Sequence, residues 1–414
     1  MKQFFLATGV AAALAVLTPA QVVLPTGFTA TVVSDGPTLG IPPFVGGLTF
    51  SPDGATLYVA GAANGPAGAV YAVPVVRDPV TQAVTGLLPA TFFHAAPFID
   101  GGLAIDPLGT FYYTTFPTNE LGQFTATTSV SYALPVASNS TGALCFGRTP
   151  GPNAGKLYIS SYGEGDIFEC PLVPNGNGTS TPTGLIPWAE LPFGTEGIAF
   201  VPSGPAAGDL FVTNFSLGSV TTIDVDAMTG TPLGGATTPV LVPFATGIIG
   251  AEGFAFDPIT NDFFVSTFAG APSDAIYRIS GFPGPNFPMT AGASTISAAT
   301  GGFVPLAMNA GVDRAFNTYV MFSGASGSTP GVTVGFQHVP LNYDEFSELV
   351  LPLVNTPFFI NFVGSFDAFG DATAYFAPPQ MPPVAIGLNL TFCAVALFPT
   401  FSGASQPANI MIVP

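Results

Sequence analysis

An all-β chain is predicted by three observations. One pattern of residues recurs five times, beginning at Gly46, Gly101, Gly142, Glu196 and Glu252. Each copy holds an apolar run, a Pro/Gly turn, an aromatic-led run and a third run, and most add a fourth. The starts lie about 40 to 56 residues apart, the period of a four-stranded blade. One such sheet cannot bury both of its faces, whereas wedges stacked round an axis bury them against each other. The chain is therefore expected to form a β-propeller of five blades, with six as the alternative, followed by a C-terminal β-sandwich.

The elements follow in order. Met1-Lys2-Gln3, the apolar residues 4–17 and Thr18-Pro19-Ala20 read as a secretory signal peptide spanning 1–20. Its apolar part is shorter than the ~20 residues a membrane-spanning helix needs. Residues 21–283 are assigned to the propeller. A lone β-run, GFTATVV, precedes the repeats. The units then read GGLTFSPDGATLYV, GGLAIDPLGTFYYTTF, GALCFGRTPGPNAGKLYISSY, EGIAFVPSGPAAGDLFVTNF and EGFAFDPITNDFFVSTF. ATFFHAA, SVSYALPV, LIPWAEL and TPVLVPFA supply fourth strands to the first four units. The fifth has none after AIYRISGF, so the lone N-terminal run is expected to fill that place and close the ring. Phe50, Ile105, Phe146, Phe200 and Phe256 share one position across the units and are expected to pack in the core. Trp188, in the outer run LIPWAEL, is read as packing too. The Pro-rich stretch 284–290 is the expected linker. Residues 291–414 show about seven strand-like runs, among them ELVLPLV. Asp367 to Asp371 reads as a hairpin loop between two of these runs.

Composition narrows the function. The net charge is -18, yet only 7% of residues are charged. Six basic residues, Lys2, Arg77, Arg148, Lys156, Arg278 and Arg314, are too few for a phosphate-binding face. Nucleic acid is disfavoured as a partner on that ground, and charge-driven binding to anionic lipid with it. Disorder is disfavoured because 48% of residues are hydrophobic. No run beyond residue 20 approaches the length of a helical span, so no membrane span is expected in the mature chain. The 43 prolines, many beside predicted strands, argue against an outer-membrane barrel. Cys145 and Cys170 fall on strands that flank a common neighbour, about 10 Å apart, beyond the reach of a disulfide. His94 and His338 lie far apart, and no Cys/His group has zinc spacing.

The motifs EGIAF, EGFAFDP and GGLAIDP, each followed by a strand such as LYV, LYI or FFV, resemble the six-bladed propellers of the gluconolactonase, strictosidine-synthase and NHL-repeat group. The resemblance covers residues 22 to 283. It implies that the residue before the Gly of each first strand points into the central channel, where Glu, Asn or Asp from several blades hold calcium or a similar ion. A hard cation wants six or more oxygens, which suits such a ring. Here the equivalent positions are Gly46, Gly101, Gly142, Glu196 and Glu252, so only two offer a carboxylate. Asp100 is displaced by one residue but is a candidate for the same mouth. Asn214, ending the second strand of the fourth unit, is the remaining candidate oxygen donor. The metal candidates are thus Glu196, Glu252, Asp100 and Asn214.

The tail carries YVMFSGASGSTPG, LNYDEF, FVGSFDAFGDATA and a final IVP, and resembles a module common in exported planctomycete proteins. That resemblance covers most of residues 291 to 414 and implies a cell-surface or matrix-associated part. The expected function is an exported, non-enzymatic binding or structural protein that meets an extracellular ligand, protein or glycan on its propeller face. The alternative is a calcium-dependent, lactonase-like hydrolase using Glu196 and Glu252.

Overall fold

Alternating apolar positions turn each repeat into one antiparallel sheet, entered from its innermost strand. The computed structural model describes residues 22–414 except 79–80, 136–139, 148–150, 204–205, 269–273, 283–285, 312–313, 329–330, 335–336 and 398–400. The expected signal peptide, residues 1–20, lies outside the described residues, as do the first two residues of the 284–290 linker.

Among the described residues the repeats form five main sheets, and the third unit adds a two-stranded ribbon of Leu172–Pro174 and Ser180–Pro182. The first unit runs from the inner strand Leu48–Phe50 through Thr56–Gly61 and Ala69–Arg77 to Thr91–Ala95, with Val84–Leu87 added on the far half of Ala69–Arg77. The inner strands of the others are Ile99–Ile105, Thr141–Phe146, Ile198–Phe200 and Ala251–Phe256. Neighbouring inner strands touch in chain order, and the fifth touches the first, so the sheets close on themselves as a propeller. In the fifth sheet the outermost strand is Thr29–Asp35, antiparallel to Ala275–Ser280 with Thr31 opposite Arg278. The N-terminal run thus occupies the place its sequence left open.

Two bonding systems join the sheets. At the seam between the fifth and first units, the Arg77 guanidinium forks onto Asp257, with Nη1–Oδ2 at 2.7 Å and Nη2–Oδ1 at 2.8 Å. Arg278 donates to Asp262 at 2.6 Å and to the Val84 carbonyl at 2.7 Å. Round the hub, a hydroxyl on the second strand of a unit bridges to the next. Ser160 Oγ accepts from Ala143 N at 2.8 Å and donates to Glu196 O at 2.8 Å. Ser266 Oγ accepts from Gly253 N at 2.9 Å and donates to Gly46 O at 2.5 Å. Thr114 links Gly102 N to Gly142 O in the same way. Each hydroxyl satisfies a buried backbone group that the twisted inner strand cannot pair within its own sheet.

All three cysteines are free, and Cys145 and Cys170 sit on the two strands that flank Leu157–Ser161. Trp188 is buried against Tyr158 and Phe200 and donates its indole N–H to Gly230 O at 3.1 Å.

The C-terminal residues build two further sheets over one shared core, and Val332–Val334 pairs with Gln337–Val339 in a two-stranded ribbon. One orders Met289–Ala291, Val304–Asn309, Asp371–Phe376 and Phe359–Ile360. The other holds Thr295–Ser297, Ala408–Val413, Asn389–Leu397, Thr318–Gly324 and Val363–Ser365, with Phe401–Ala404 beside Asn389–Leu397. Three expectations change here. The run ELVLPLV is not a strand: Glu345–Val350 is helical and Leu351–Leu353 continues as a 3-10 turn. Asp344 dictates this by accepting from the N–H groups of Phe346 and Ser347 while Ser347 returns the bond, a capping box. Asp367 to Asp371 does not close a hairpin, because Val363–Ser365 and Asp371–Phe376 belong to different sheets. Phe287 and Met289, inside the expected linker, are buried in the shared core. No helix among the described residues is long and apolar enough to cross a membrane.

Candidate functional site

The inner strands bring three acids from three units to one point. Carboxylate oxygens of Asp100, Glu196 and Glu252 all lie within 4.8 Å of one another. The side chains are deeply buried, at 2%, 7% and 2% exposure. Glycine makes the room. A Cβ at Gly142 would stand 2.8 Å from Glu196 Oε2, and one at Gly101 would stand 3.3 Å from Glu252 Oε1 and 3.5 Å from Glu196 Oε2. The units that lack an acid at the equivalent position thus supply the space for the acids of the others.

Asp100 arrives by a different local route. In the third and fifth units the inner strand carries one extra residue against its partner, between Thr141 and Leu144 and between Ala251 and Phe254. In the second unit four steps, Ile99 to Leu103, face two, Thr115 to Tyr113. This wider bulge absorbs the one-residue displacement and swings Asp100 to the depth of Glu252. Asn214 does not join the group through a free oxygen. Its Oδ1 accepts from Leu217 N at 3.2 Å and caps the turn Phe215–Leu217. Asn64, which sequence reasoning passed over, takes a place instead: its side chain hydrogen-bonds Asp100, while its own Oδ1 is buried with no protein partner. Glu196 Oε2 and Thr195 Oγ1 are likewise buried and unpartnered.

Burial pushes the Asp100 carboxyl up to about 7, against which the bonds from Glu252, Asn64 and Gly101 N–H pull. Glu196 and Glu252 are raised as well, first by burial and then by repulsion from the neighbouring acids. None of the ion pairs among the described residues reaches the three acids. Such a group must hold protons or a cation, because several unpaired charges cannot be buried together.

Half-buried aromatic rings stand at the same end. Phe116, Tyr162, Phe215 and Phe268 directly follow the second strands Phe111–Thr115, Leu157–Ser161, Leu210–Asn214 and Phe263–Thr267. Phe44 meets Phe268 at 5.3 Å and Tyr162 meets Phe215 at 5.8 Å, each pair crossing from one unit to its neighbour. The signal was legible as TTF, SSY, TNF and STF, the aromatic closing each second run.

No protein-family model matches the chain, and no curated protein matches it. Among solved structures it is similar to a luciferin-regenerating enzyme at 14% identity and a TM-score of 0.38, covering 62% of this chain and 98% of that one. It is also similar to a calcium-binding protein, regucalcin, from Agrobacterium tumefaciens, at 12% identity and a TM-score of 0.36, covering 62% and 96%. A putative 6-phosphogluconolactonase from Bacteroides uniformis matches at 11% identity and a TM-score of 0.30, over 79% and 87%. The sheet order, rather than these distant likenesses, defines the fold.

Proposed function

We propose that this is an exported, non-enzymatic binding protein whose propeller hub is tied by a hard divalent cation such as calcium. The observation that carries the reading is the convergence of Asp100, Glu196 and Glu252, with Glu196 Oε2 buried and unpartnered. The donor set fits the ion: three carboxylates and the Asn64 carbonyl are all hard oxygens. These residues would hold it, and it would supply charge neutralisation that links the first, second, fourth and fifth units. The aromatic rings above the acids offer a partner an apolar, desolvated patch of the kind that dominates recognition. Export rests on the apolar leader at residues 4–17, and the extracellular partner is a ligand, protein or glycan.

Calorimetric titration of the chelator-treated protein with calcium tests the hub. One ion per chain is expected, lost in Glu252→Gln; no heat from the wild type would overturn the reading. The lactonase-like alternative draws on Asp100, whose carboxyl titrates at about 7, where a proton-transferring group works best. Calcium-dependent hydrolysis of simple lactones, abolished by Glu252→Gln, would establish that alternative in place of the binding role.

A further inference from the structure

The same five inner strands carry a second, chemically opposite site. Phe50, Ile105, Phe146, Phe200 and Phe256, expected only to pack, also wall a central cavity of about 270 Å³. Each belongs to, or packs on, a different hydrophobic cluster between units, so their inner edges are held rigidly around the axis. Glu252 and Phe256 are four residues apart on one strand, which puts the level of Phe256 about 13 Å from the acids along the strand. Leu103, Leu144 and Phe254 line its deep end, and Pro52, Pro107 and Pro258 line it from the turns between first and second strands. Among the described residues, no charged side chain lines it. Its side-chain polar groups are the hydroxyls of Thr49 and Ser51 and the thiol of Cys145. The Ser51 hydroxyl is already bonded to Asp53 and Thr56.

We infer that this cavity is a binding site for one small, uncharged, apolar molecule, aromatic or short-chain aliphatic, entering from the face opposite the carboxylates. The space equals that of about nine water molecules. Water there finds few side-chain hydrogen-bond partners among the described residues, so an apolar guest that displaces loosely held water gains affinity. A charged guest would lose its hydration to a wall whose described residues return no ion pair. The volume limits the guest to roughly ten to fifteen non-hydrogen atoms, and the Thr49 hydroxyl offers a single polar contact for orientation.

Cys145 provides a reporter within the wall. The probe is 1-aminonaphthalene, which falls within that size limit, is uncharged at neutral pH and shifts its fluorescence to the blue in apolar surroundings. Saturable binding of one molecule per chain is expected, weakened at least tenfold in Thr49→Phe, which places a ring in the cavity. On the unaltered protein, saturating probe is expected to slow alkylation of Cys145, read by peptide mass spectrometry, at least fivefold, with Cys170 and Cys393 unchanged. This second arm stands if Thr49→Phe does not fold. Binding that is unsaturable, or an alkylation rate at Cys145 that ignores the probe, would overturn the inference. Neither readout involves calcium or the acids, so failure of the hub reading leaves it intact.

Discussion

On the proposed reading, removing the cation should turn the hub from a brace into a wedge, and pH decides by how much. Asp100 titrates at about 7 in the folded chain against 3.8 for an ordinary aspartate. Its folded value is raised, so the unfolded chain releases the proton first as pH climbs. Stability is therefore highest in acid and falls from about pH 4 until the folded group itself ionises near pH 7. Over that window Asp100 alone costs about 4 kcal/mol. Glu196 and Glu252 are raised as well, by burial and by repulsion from the neighbouring acids, and deepen the loss. For a unit of some 250 residues, 4 kcal/mol corresponds to about 10 °C in melting temperature.

Calcium should reverse the slope, since it takes the place of the protons and binds more tightly as they leave. At a hundredfold excess over its dissociation constant it returns about 2.7 kcal/mol. The assay is a set of thermal melts at pH 5, 6, 7 and 8, with chelator and with calcium. Glu196→Gln sharpens it, because one substitution should act in opposite directions. Without calcium at pH 8 the variant should melt above the wild type, having one fewer buried charge. With calcium it should gain less than the wild type, having lost a ligand. A chelated wild type whose melting point is flat from pH 5 to 8, or a variant that melts lower in both conditions, would refute the reasoning.

Other outcomes follow from the bonds that hold the sheets. Arg77→Ala leaves Asp257, at 0% side-chain exposure, buried without its cation; breaking such a pair costs about 3–5 kcal/mol, and a urea-unfolding loss under 1 kcal/mol would discount the seam. Ser266→Ala strands the Gly253 N–H and the Gly46 carbonyl together, so about 1–3 kcal/mol should be lost, measured against exposed Thr85→Ala as the control. Asp344 sits below the usual aspartate range; burial opposes this, but bonds from Ser326, Ala325 and Ser347 outweigh it. The stability it gives is present above the ordinary carboxylate range and lost as pH falls through its lowered value, so proteolysis of the 291–414 region should accelerate in acid, and less so in Asp344→Asn.

The repeat was readable because each inner strand keeps the same alternation, and the N-terminal strand because the fifth unit ended one run short. Glu196 and Glu252 were readable for the same reason, being in register. Asp100 was visible only as a misfit, since a bulge is a backbone event and a single sequence records it as a shift of one. Asn64 could not be found from the repeat at all. It leaves the loop after Thr56–Gly61 with φ at 61°, and its reach toward Asp100 depends on the neighbouring unit. The hydroxyl bridges had a signal, the Thr or Ser at Thr114, Ser160 and Ser266 in the second strands. Such a residue reads as ordinary strand composition until the next unit's carbonyl stands beside it. In the tail, SGAS and LNYDEF were noted separately. Asp344 explains why they occur together, accepting from Ala325 N, Ser326 N and Ser326 Oγ as well as from the helix it caps.

The glycines decide how the hub's chemistry is distributed. A ring in which every unit offered a carboxylate would bury five charges, more than one divalent ion can balance. Here Gly101 and Gly142 stand at equivalent positions, and the carboxylates of Glu196 and Glu252 lean into the space they leave. Three acids and one divalent ion leave a single negative charge, which one proton neutralises; the hydrogen bond between Asp100 and Glu252 is already arranged to hold it. Gly142→Ala tests that division of labour without removing any ligand. Its methyl carbon would stand 2.8 Å from Glu196 Oε2 and 2.6 Å from Thr195 O, so calcium affinity should fall at least tenfold while Asp100 and Glu252 remain. An unchanged affinity would mean that the glycines are there for the backbone and not for the acids.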